Sequence, residues 1–467
     1  PSFDILIICF NVSEALEVIH LIRVLKMYPS MESESAQLFK RAQVVMPGGN
    51  TRSTLYYPPY PIYITEGRGS KAIDPDGNEY TDFINCFSAS IHGHCHPKII
   101  ERVQQQLNKL ISVAAPSDAE IELAEILVDR IPSFERVRFC SSGTEAVMHT
   151  IRAARAFTGK PRIAKVEGCY HGTYDAAEVS QNSNPGNWGE ASAPASTSTS
   201  FGTPDGVKDD VVVLNMNDIQ GSIAILENHK EHLAGVLLDV LPARMNFIPM
   251  KPEYIKAIQA WCVANGALLI FDEVFSLRGG YRGMQGEYGV TPDLTATGKL
   301  VGGGFPIGVF GGRTDVMDVF NVLADGGAKV THGGTHNAHP VSIAAGIASM
   351  KLWDQAAVTH INGLGKRVRQ GIDAALRDAG IPGTTYGYGS MIGWFYTEDE
   401  LHTYRDIHTA QHQKGVQGKL FKHWLNNGIL AAARGGLILS TVMTEAEIDH
   451  LIEQTSEAFN AIQTSKS

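Results

Sequence analysis

The chain has 467 residues, 43% of them apolar and 19% charged, with a formal net charge of −10. That length gives room for a large core and two domains, and the composition is that of an ordinary globular enzyme. The acidic balance argues against general affinity for nucleic acid, because no basic excess offsets phosphate repulsion, and no segment reaches the length needed to cross a membrane. In chain order, Asp4 to Phe10 is an apolar run too short to span a bilayer, and residues 14–26 have the pattern of a short amphipathic helix. Residues 1–30 are read as an extension dispensable for function. A helix is expected over 33–46, closed by Pro47-Gly48-Gly49. Residues 62–83 carry two strand-like runs around the turn Asp74-Pro75-Asp76-Gly77-Asn78.

From there the pattern alternates. Helices are expected at 97–111 and 117–131, a strand at 136–140, a helix at 143–158 and a strand at 162–166. Residues 180–206 are rich in Ser, Thr, Asn, Gly and Pro and are expected as a long loop. Strand 211–214, helix 218–231, strand 234–241, helix 252–265 and strand 267–271 follow. Alternation of this kind predicts an α/β fold with a mostly parallel sheet covered by helices. After about residue 350 the character changes to a helix at 355–379, short strands near 384–396 and a closing helix at 444–462. The expected division is therefore 1–30 extension, 31–85 N-terminal segment, 86–350 large domain and 351–467 smaller C-terminal domain.

Two polar residues at strand ends carry the chemical signal. The apolar run Ala267 to Phe271 ends in Asp272-Glu273-Val274, and Lys299 closes a β-capable run and is followed by Gly302-Gly303-Gly304. An aspartate and a lysine at two strand ends facing one crevice form the minimal apparatus for pyridoxal phosphate chemistry: the lysine holds the cofactor aldehyde and the aspartate pairs with the pyridinium nitrogen. Ser141-Ser142-Gly143-Thr144 lies between a strand and a helix, where free N–H groups and the helix dipole favour a phosphate, although Ser and Thr are also common as plain helix caps. Tyr170-His171-Gly172 follows a strand, so its aromatic ring can stack on a flat cofactor. Gly333-Gly334-Thr335 suits a second phosphate contact. His92, His94 and His96 alternate, but Gly93 and Pro97 interrupt the strand that would align them, and no metal site is expected. The six cysteines have irregular spacing and no Cys-x-x-Cys pair, which fits a reducing cytoplasm.

These motifs, with Pro47-Gly48-Gly49, Gly93-His94-Cys95-His96-Pro97 and the stretch Pro292 to Gly312, resemble those of the class III aminotransferases among the fold-type-I pyridoxal phosphate enzymes, nearest the group around glutamate-1-semialdehyde aminomutase. The resemblance covers about residues 35–460. It implies that Lys299 carries the cofactor and shuttles the proton, and that Asp272 bonds the ring nitrogen. It places Val274 and Tyr170 on opposite ring faces, and Ser142, Gly143, Thr144 and His171 also on the cofactor. Thr335 would reach the phosphate of a partner subunit, which implies a homodimer. Two departures stand out. Where the family commonly has Glu-Pro-Val-x-Gly-Asn-x-Gly, this chain has Asp239 to Asn246 and lacks the usual asparagine; and glycine replaces the aminomutase glutamate in Arg434-Gly435-Gly436.

The segments Gly49-Asn50-Thr51-Arg52, Tyr56 to Pro61 and Thr81 to Asn85 further resemble aromatic β-amino acid aminotransferases of the β-phenylalanine type. There one arginine holds the β-amino acid carboxylate and another the keto acid α-carboxylate, roles that fall on Arg52 and Arg434. The expectation is a cytoplasmic homodimeric transaminase that moves the amino group of an aromatic β-amino acid to 2-oxoglutarate or pyruvate, with small-molecule partners and no nucleic acid or membrane. The alternatives are a semialdehyde aminomutase or other pyridoxal phosphate isomerase or racemase, and a D-aromatic amino acid or amine transaminase.

Overall fold

The structure, a computed structural model, describes residues 27–464. The apolar run at 4–10 and the helix expected at 14–26 lie outside the described residues. The centre is a seven-stranded sheet in the order Arg136–Cys140, Gly308–Gly312, Leu294–Gly298, Leu268–Asp272, Leu233–Leu238, Arg162–Val166, Val211–Leu214. Every pairing is parallel except the two made by Gly308–Gly312. The strands Val211–Leu214, Leu233–Leu238 and Leu268–Asp272 are buried at every position. That is why they read as continuous apolar runs rather than as alternation: helices cover both faces. Each such Leu, Ile or Phe removed from water contributes about 1.5–3 kcal/mol.

The antiparallel strand is a consequence of loop length. Leu294–Gly298 and Gly308–Gly312 are separated only by 299–307, too short for the crossover a parallel pair needs, so the chain turns back on itself. Its glycines allow close approach. A Cβ on Gly308 would lie 2.0 Å from the Ser142 carbonyl oxygen, and one on Gly311 2.4 Å from that of Arg136. The strand thus sits hard against the turn that starts the helix Gly143–Thr158.

Most expected elements appear with small shifts at their ends, among them Glu34–Val45, Pro97–Leu107, Asp118–Arg130, Pro252–Asn265, Gln355–Asp378 and Glu445–Thr464. Residues 62–83 differ: they form three short strands, Glu66–Arg68, Lys71–Ile73 and Glu79–Asp82, in one sheet with Ile429–Leu430. The extra turn is made by Gly69, whose φ is +56°, which splits the first run. The loop 180–206 contains the short pair Gly189–Glu190 and Ala193–Pro194 and the start of a helix, Asp205–Asp209. Residues Thr384–Tyr388, Met391–Phe395 and Leu437–Ile438 form an antiparallel sheet. Among the described residues no helix is long and apolar enough to cross a membrane.

Gly308→Ala should lower stability by about 1–3 kcal/mol, the usual cost of forcing a methyl into packed surroundings, because the atom it meets is backbone. Gly363→Ala, in the helix Gln355–Asp378 with nothing within 4 Å of its Cβ, should instead stabilise by up to about 1 kcal/mol. Thermal unfolding of the two variants beside the parent measures both shifts.

Candidate active site

The C-terminal ends of the central strands carry the site. Leu238 pairs with Phe271 in parallel register, so the residues that follow, Asp239 and Asp272, leave the sheet side by side. Phe271 pairs with Thr295 in the same way, and three residues beyond the end of that pairing Lys299 begins a helical turn, Lys299–Gly302. Lys299 has φ +46°, a left-handed backbone that is costly for a residue with a Cβ. The crevice at such strand ends is where open α/β sheets bind ligands.

Asp272 is 6% exposed, so its carboxylate requires partners. Its Oδ2 accepts from His171 Nδ1 at 2.8 Å and its Oδ1 from the Val274 N–H at 3.0 Å. His171 is fully enclosed; burial lowers its pKa, opposed by the bond to Asp272. The imidazole is therefore neutral, with Nδ1–H given to Asp272. Its Nε2 is buried with no hydrogen-bond partner among the described residues. Asp239 is also 6% exposed, and its Oδ1 accepts from the Leu241 N–H at 3.1 Å. Burial first, then the neighbouring Asp272, raises its pKa well above the ordinary carboxylate value. Two adjacent carboxylates do not both ionise readily.

Lys299 Nζ lies 4.4 Å from the ring centroid of Phe275. Burial pushes its ammonium down from 10.5 to about 8, with Asp272, Asp239 and Cys86 acting in the opposite direction. Among the described residues it forms no ion pair within 4.0 Å, which leaves a desolvated amine in reach of a carbonyl.

Ser142 caps the helix Gly143–Thr158: its Oγ accepts from Glu145 N at 3.2 Å, and Glu145 Oε2 accepts from Ser141 N at 2.6 Å. The N–H groups of Gly143 and Thr144 have no acceptor among the described residues. Thr144 Oγ1 accepts from Thr173 N at 3.4 Å, which ties this turn to the Tyr170-His171-Gly172 segment. The packing leaves no room for larger residues. A Cβ on Gly143 would lie 2.6 Å from Val274 Cγ1, and one on Gly172 2.5 Å from Thr144 Oγ1. Tyr170 is 42% exposed, and Asp272 is among the charges that reach its phenol. Ser142 to Thr144, Tyr170, His171, Asp272, Val274 and Lys299 are thus brought together. These groups fit a flat pyridine bearing a phosphate: free N–H groups at a helix start, a carboxylate fixed by two donors, a desolvated amine, and a tyrosine and a valine nearby.

Arg52 is exposed, 3.9 Å from Cys86 Sγ and 5.9 Å from the Phe87 ring centroid. Cys86 in turn is one of the groups that face Lys299. Arg434 is exposed on the turn after Ile429–Leu430. Thr335 is exposed and makes no side-chain hydrogen bond among the described residues, so within one chain it is not part of the cluster. His92 and His94 turn to different partners, the Ser349 carbonyl and Asp82.

This architecture has a family. The sequence matches class III aminotransferases over residues 54–459. The chain belongs to that family. It is 33% identical to a glutamate-1-semialdehyde 2,1-aminomutase 2 of Halalkalibacterium halodurans, over 92% of this chain and 99% of that one. It superposes on an ω-transaminase from Sphaerobacter thermophilus with TM-score 0.88 and 44% identity, covering 92% of this chain and 98% of that one. A β-phenylalanine aminotransferase from Variovorax paradoxus gives TM-score 0.82 at 31% identity, with 97% of each chain covered. The protein is a pyridoxal-phosphate-dependent aminotransferase of fold type I.

Sequence reasoning missed Asp239 and Arg278. Asp239 had a usable signal, since it ends an apolar strand just as Asp272 does. Arg278 had none. It is 0% exposed, and burial alone pushes it down to about 9. It donates to Ser88 Oγ at 3.2 Å, to Ser390 Oγ at 3.1 Å and to the Leu439 carbonyl. It thereby anchors the left-handed run Asn85 to Ser88, which aims Cys86 at Lys299.

The pKa near 8 gives a direct test. Acylation of Lys299 in cofactor-free protein, followed by peptide mass spectrometry, should rise with pH and level off above about pH 8; an ordinary lysine would still be climbing at about pH 10. Asp272→Asn should leave the unfolding midpoint nearly unchanged. Its turnover should fall roughly 10- to 150-fold, which corresponds to the loss of one charge-assisted hydrogen bond of about 1.5–3 kcal/mol.

Proposed function

We propose that this aminotransferase moves the amino group of an aromatic β-amino acid to an α-keto acid such as 2-oxoglutarate or pyruvate. The observation that carries the reading is the presence, on separate elements, of two arginines that have no carboxylate partner within 4.0 Å among the described residues. Arg52 reaches Cys86 beside Lys299, and Arg434 lies on the turn next to Asn246. A β-amino acid holds its carboxylate one carbon further from the reacting carbon than an α-keto acid does. Two separated guanidiniums let both half-reactions occur at one reacting position, and each fork matches a carboxylate bidentately. The likeness to the Variovorax β-phenylalanine aminotransferase supports this choice of donor.

When bound, pyridoxal phosphate supplies the electron sink. Lys299 Nζ takes the proton from the substrate carbon and returns it on the cofactor side. The Asp272 carboxylate, fixed in place by His171, would hold a proton on the ring nitrogen. The N–H groups of Gly143 and Thr144 would take the phosphate, and Tyr170 and Val274 would lie against the ring. In this reading Thr335 serves the phosphate of a second copy. The enzyme is then a cytoplasmic homodimer, divided into the small-domain segment 31–85, the cofactor domain 86–350 and the C-terminal domain 351–467.

An isomerase of the semialdehyde aminomutase kind has its support in the Halalkalibacterium relative. Against it stands the C-terminal turn, where Gly435 and Gly436 have φ +97° and +98°. A glutamate at either position would be strained.

A donor screen with 2-oxoglutarate and pyruvate, comparing α-, β- and ω-amino compounds, should give highest turnover with β-phenylalanine; conversion of glutamate-1-semialdehyde with no added acceptor would select the isomerase instead. Arg52→Ala should raise KM for the β-amino acid, and Arg434→Ala KM for the keto acid. Each loss is about 2–3 kcal/mol, roughly 30- to 150-fold. Steady-state kinetics with both substrates reads the split, and equal small effects would reject the scheme.

A further inference from the structure

Arg244 lies on the turn Ala243–Met245, just beyond the strand that delivers Asp239. The next two residues, Asn246 and Phe247, have φ +45° and +61°, and this bend packs on the turn carrying Arg434. A Cβ on Gly435 would sit 3.5 Å from Asn246 Nδ2, and one on Gly436 3.7 Å from Phe247 Cε2. Asn246 Nδ2 also donates to the Trp394 carbonyl at 3.1 Å, so the bend is tied to the strand Met391–Phe395. Arg244 and Arg434 therefore project from adjoining, braced turns.

Neither guanidinium has a carboxylate within 4.0 Å among the described residues. Arg244 donates to the Asn182 side-chain oxygen, a neutral acceptor. Glu167, the acidic group nearest in sequence to Tyr170, is already held by Arg405 at 2.7 Å and by Ser183 Oγ at 2.9 Å. A third cation, Lys165, is buried close by and spends its hydrogen bonds on the Val179 and Cys169 carbonyls. The charges interact: burial and then Arg244 lower the pKa of Arg434. Arg244 is also among the charges that lower the pKa of the Tyr170 phenol, against the larger effect of burial. Two guanidiniums on adjoining turns, with no carboxylate of their own within 4.0 Å among the described residues, form a site for an anion.

We propose that Arg244 and Arg434 form a two-guanidinium cup for the α-carboxylate of the keto acid acceptor, so that Arg244 is a substrate-binding, specificity-determining residue. This rests on the assignment of Arg434 to the acceptor. The α-carboxylate is common to 2-oxoglutarate and pyruvate, so both acceptors depend on the cup. The donor, held at Arg52, does not.

The test uses holoenzyme carrying Arg244→Ala, Arg244→Lys or Arg434→Ala. Arg244→Ala should raise KM for 2-oxoglutarate and for pyruvate by tenfold or more, and shift the donor half-reaction, followed by cofactor absorbance, less than about threefold. Arg244→Lys, which keeps the charge, should recover part of the loss. Calorimetric binding of glutarate, an unreactive carboxylate, should weaken in parallel, a readout that does not need turnover. A defect with 2-oxoglutarate alone would overturn the cup, because Arg244 would then serve the distal carboxylate. An altered cofactor spectrum with unchanged acceptor KM would overturn it too, because Arg244 would then serve the cofactor. An acceptor defect in Arg434→Ala but not in Arg244→Ala would reject the cup and leave the Arg434 reading standing. Silence of both variants toward acceptors would remove that reading as well.

Discussion

The structure is organised around a carboxylate that has no water to ionise in. Asp272 ends a strand buried along its whole length, and a charge there is tolerated only with donors already in place. His171 Nδ1 and the Val274 N–H provide them. To do so, the chain after Arg162–Val166 must return to the end of Leu268–Asp272, and the backbone after Asp272 must turn at once. Asp239, next in the register, has its pKa raised by burial first and by the same carboxylate second. Lys299, across the crevice, gains back part of the charge that burial removes. Burial disfavours the charged form of all three neighbours, and Asp272 adds to that effect at Asp239 and opposes it at His171 and Lys299.

The second constraint is closeness of backbone. The turn at Gly143, the segment at Gly172 and the strand at Gly308 all approach to distances at which a methyl group has no room. The N–H groups of Gly143 and Thr144 have no acceptor among the described residues, while the Ser142 side chain takes the Glu145 N–H and the Glu145 side chain the Ser141 N–H. Stability and binding are divided between neighbouring atoms of a single turn: side chains close the cap, and main-chain donors face the crevice.

The cations are arranged by a different logic. Arg278 is structural: fully buried, it uses neutral oxygens only and holds a left-handed run of backbone in place. Arg52, Arg244 and Arg434 keep some exposure and, among the described residues, lack carboxylate partners within 4.0 Å. Arg278 spends its donors on the protein, whereas Arg244 donates to Asn182 and Arg52 to Cys86 while keeping exposed surface. The distinction cannot be seen in composition, since all four are arginines in loops or short turns.

Much was legible in the sequence itself. The buried strands appear as apolar runs, and their order with the helices predicts a parallel sheet; the termini of Arg136–Cys140, Gly143–Thr158 and Arg162–Val166 coincide with the expected ones, because propensity, capping and burial agree there. Asp272, Lys299 and the Ser142 to Thr144 turn could be picked out because each closes or opens an element. What required the tertiary structure is pairing between distant segments. No local pattern tells that Gly308–Gly312 enters between two strands from different parts of the chain, that Asp239 stands beside Asp272, or that 243–247 packs on 434–436. Those contacts join residues tens to hundreds of positions apart. They are chosen by which surfaces bury each other best, a property of the whole packed molecule rather than of any stretch of its chain.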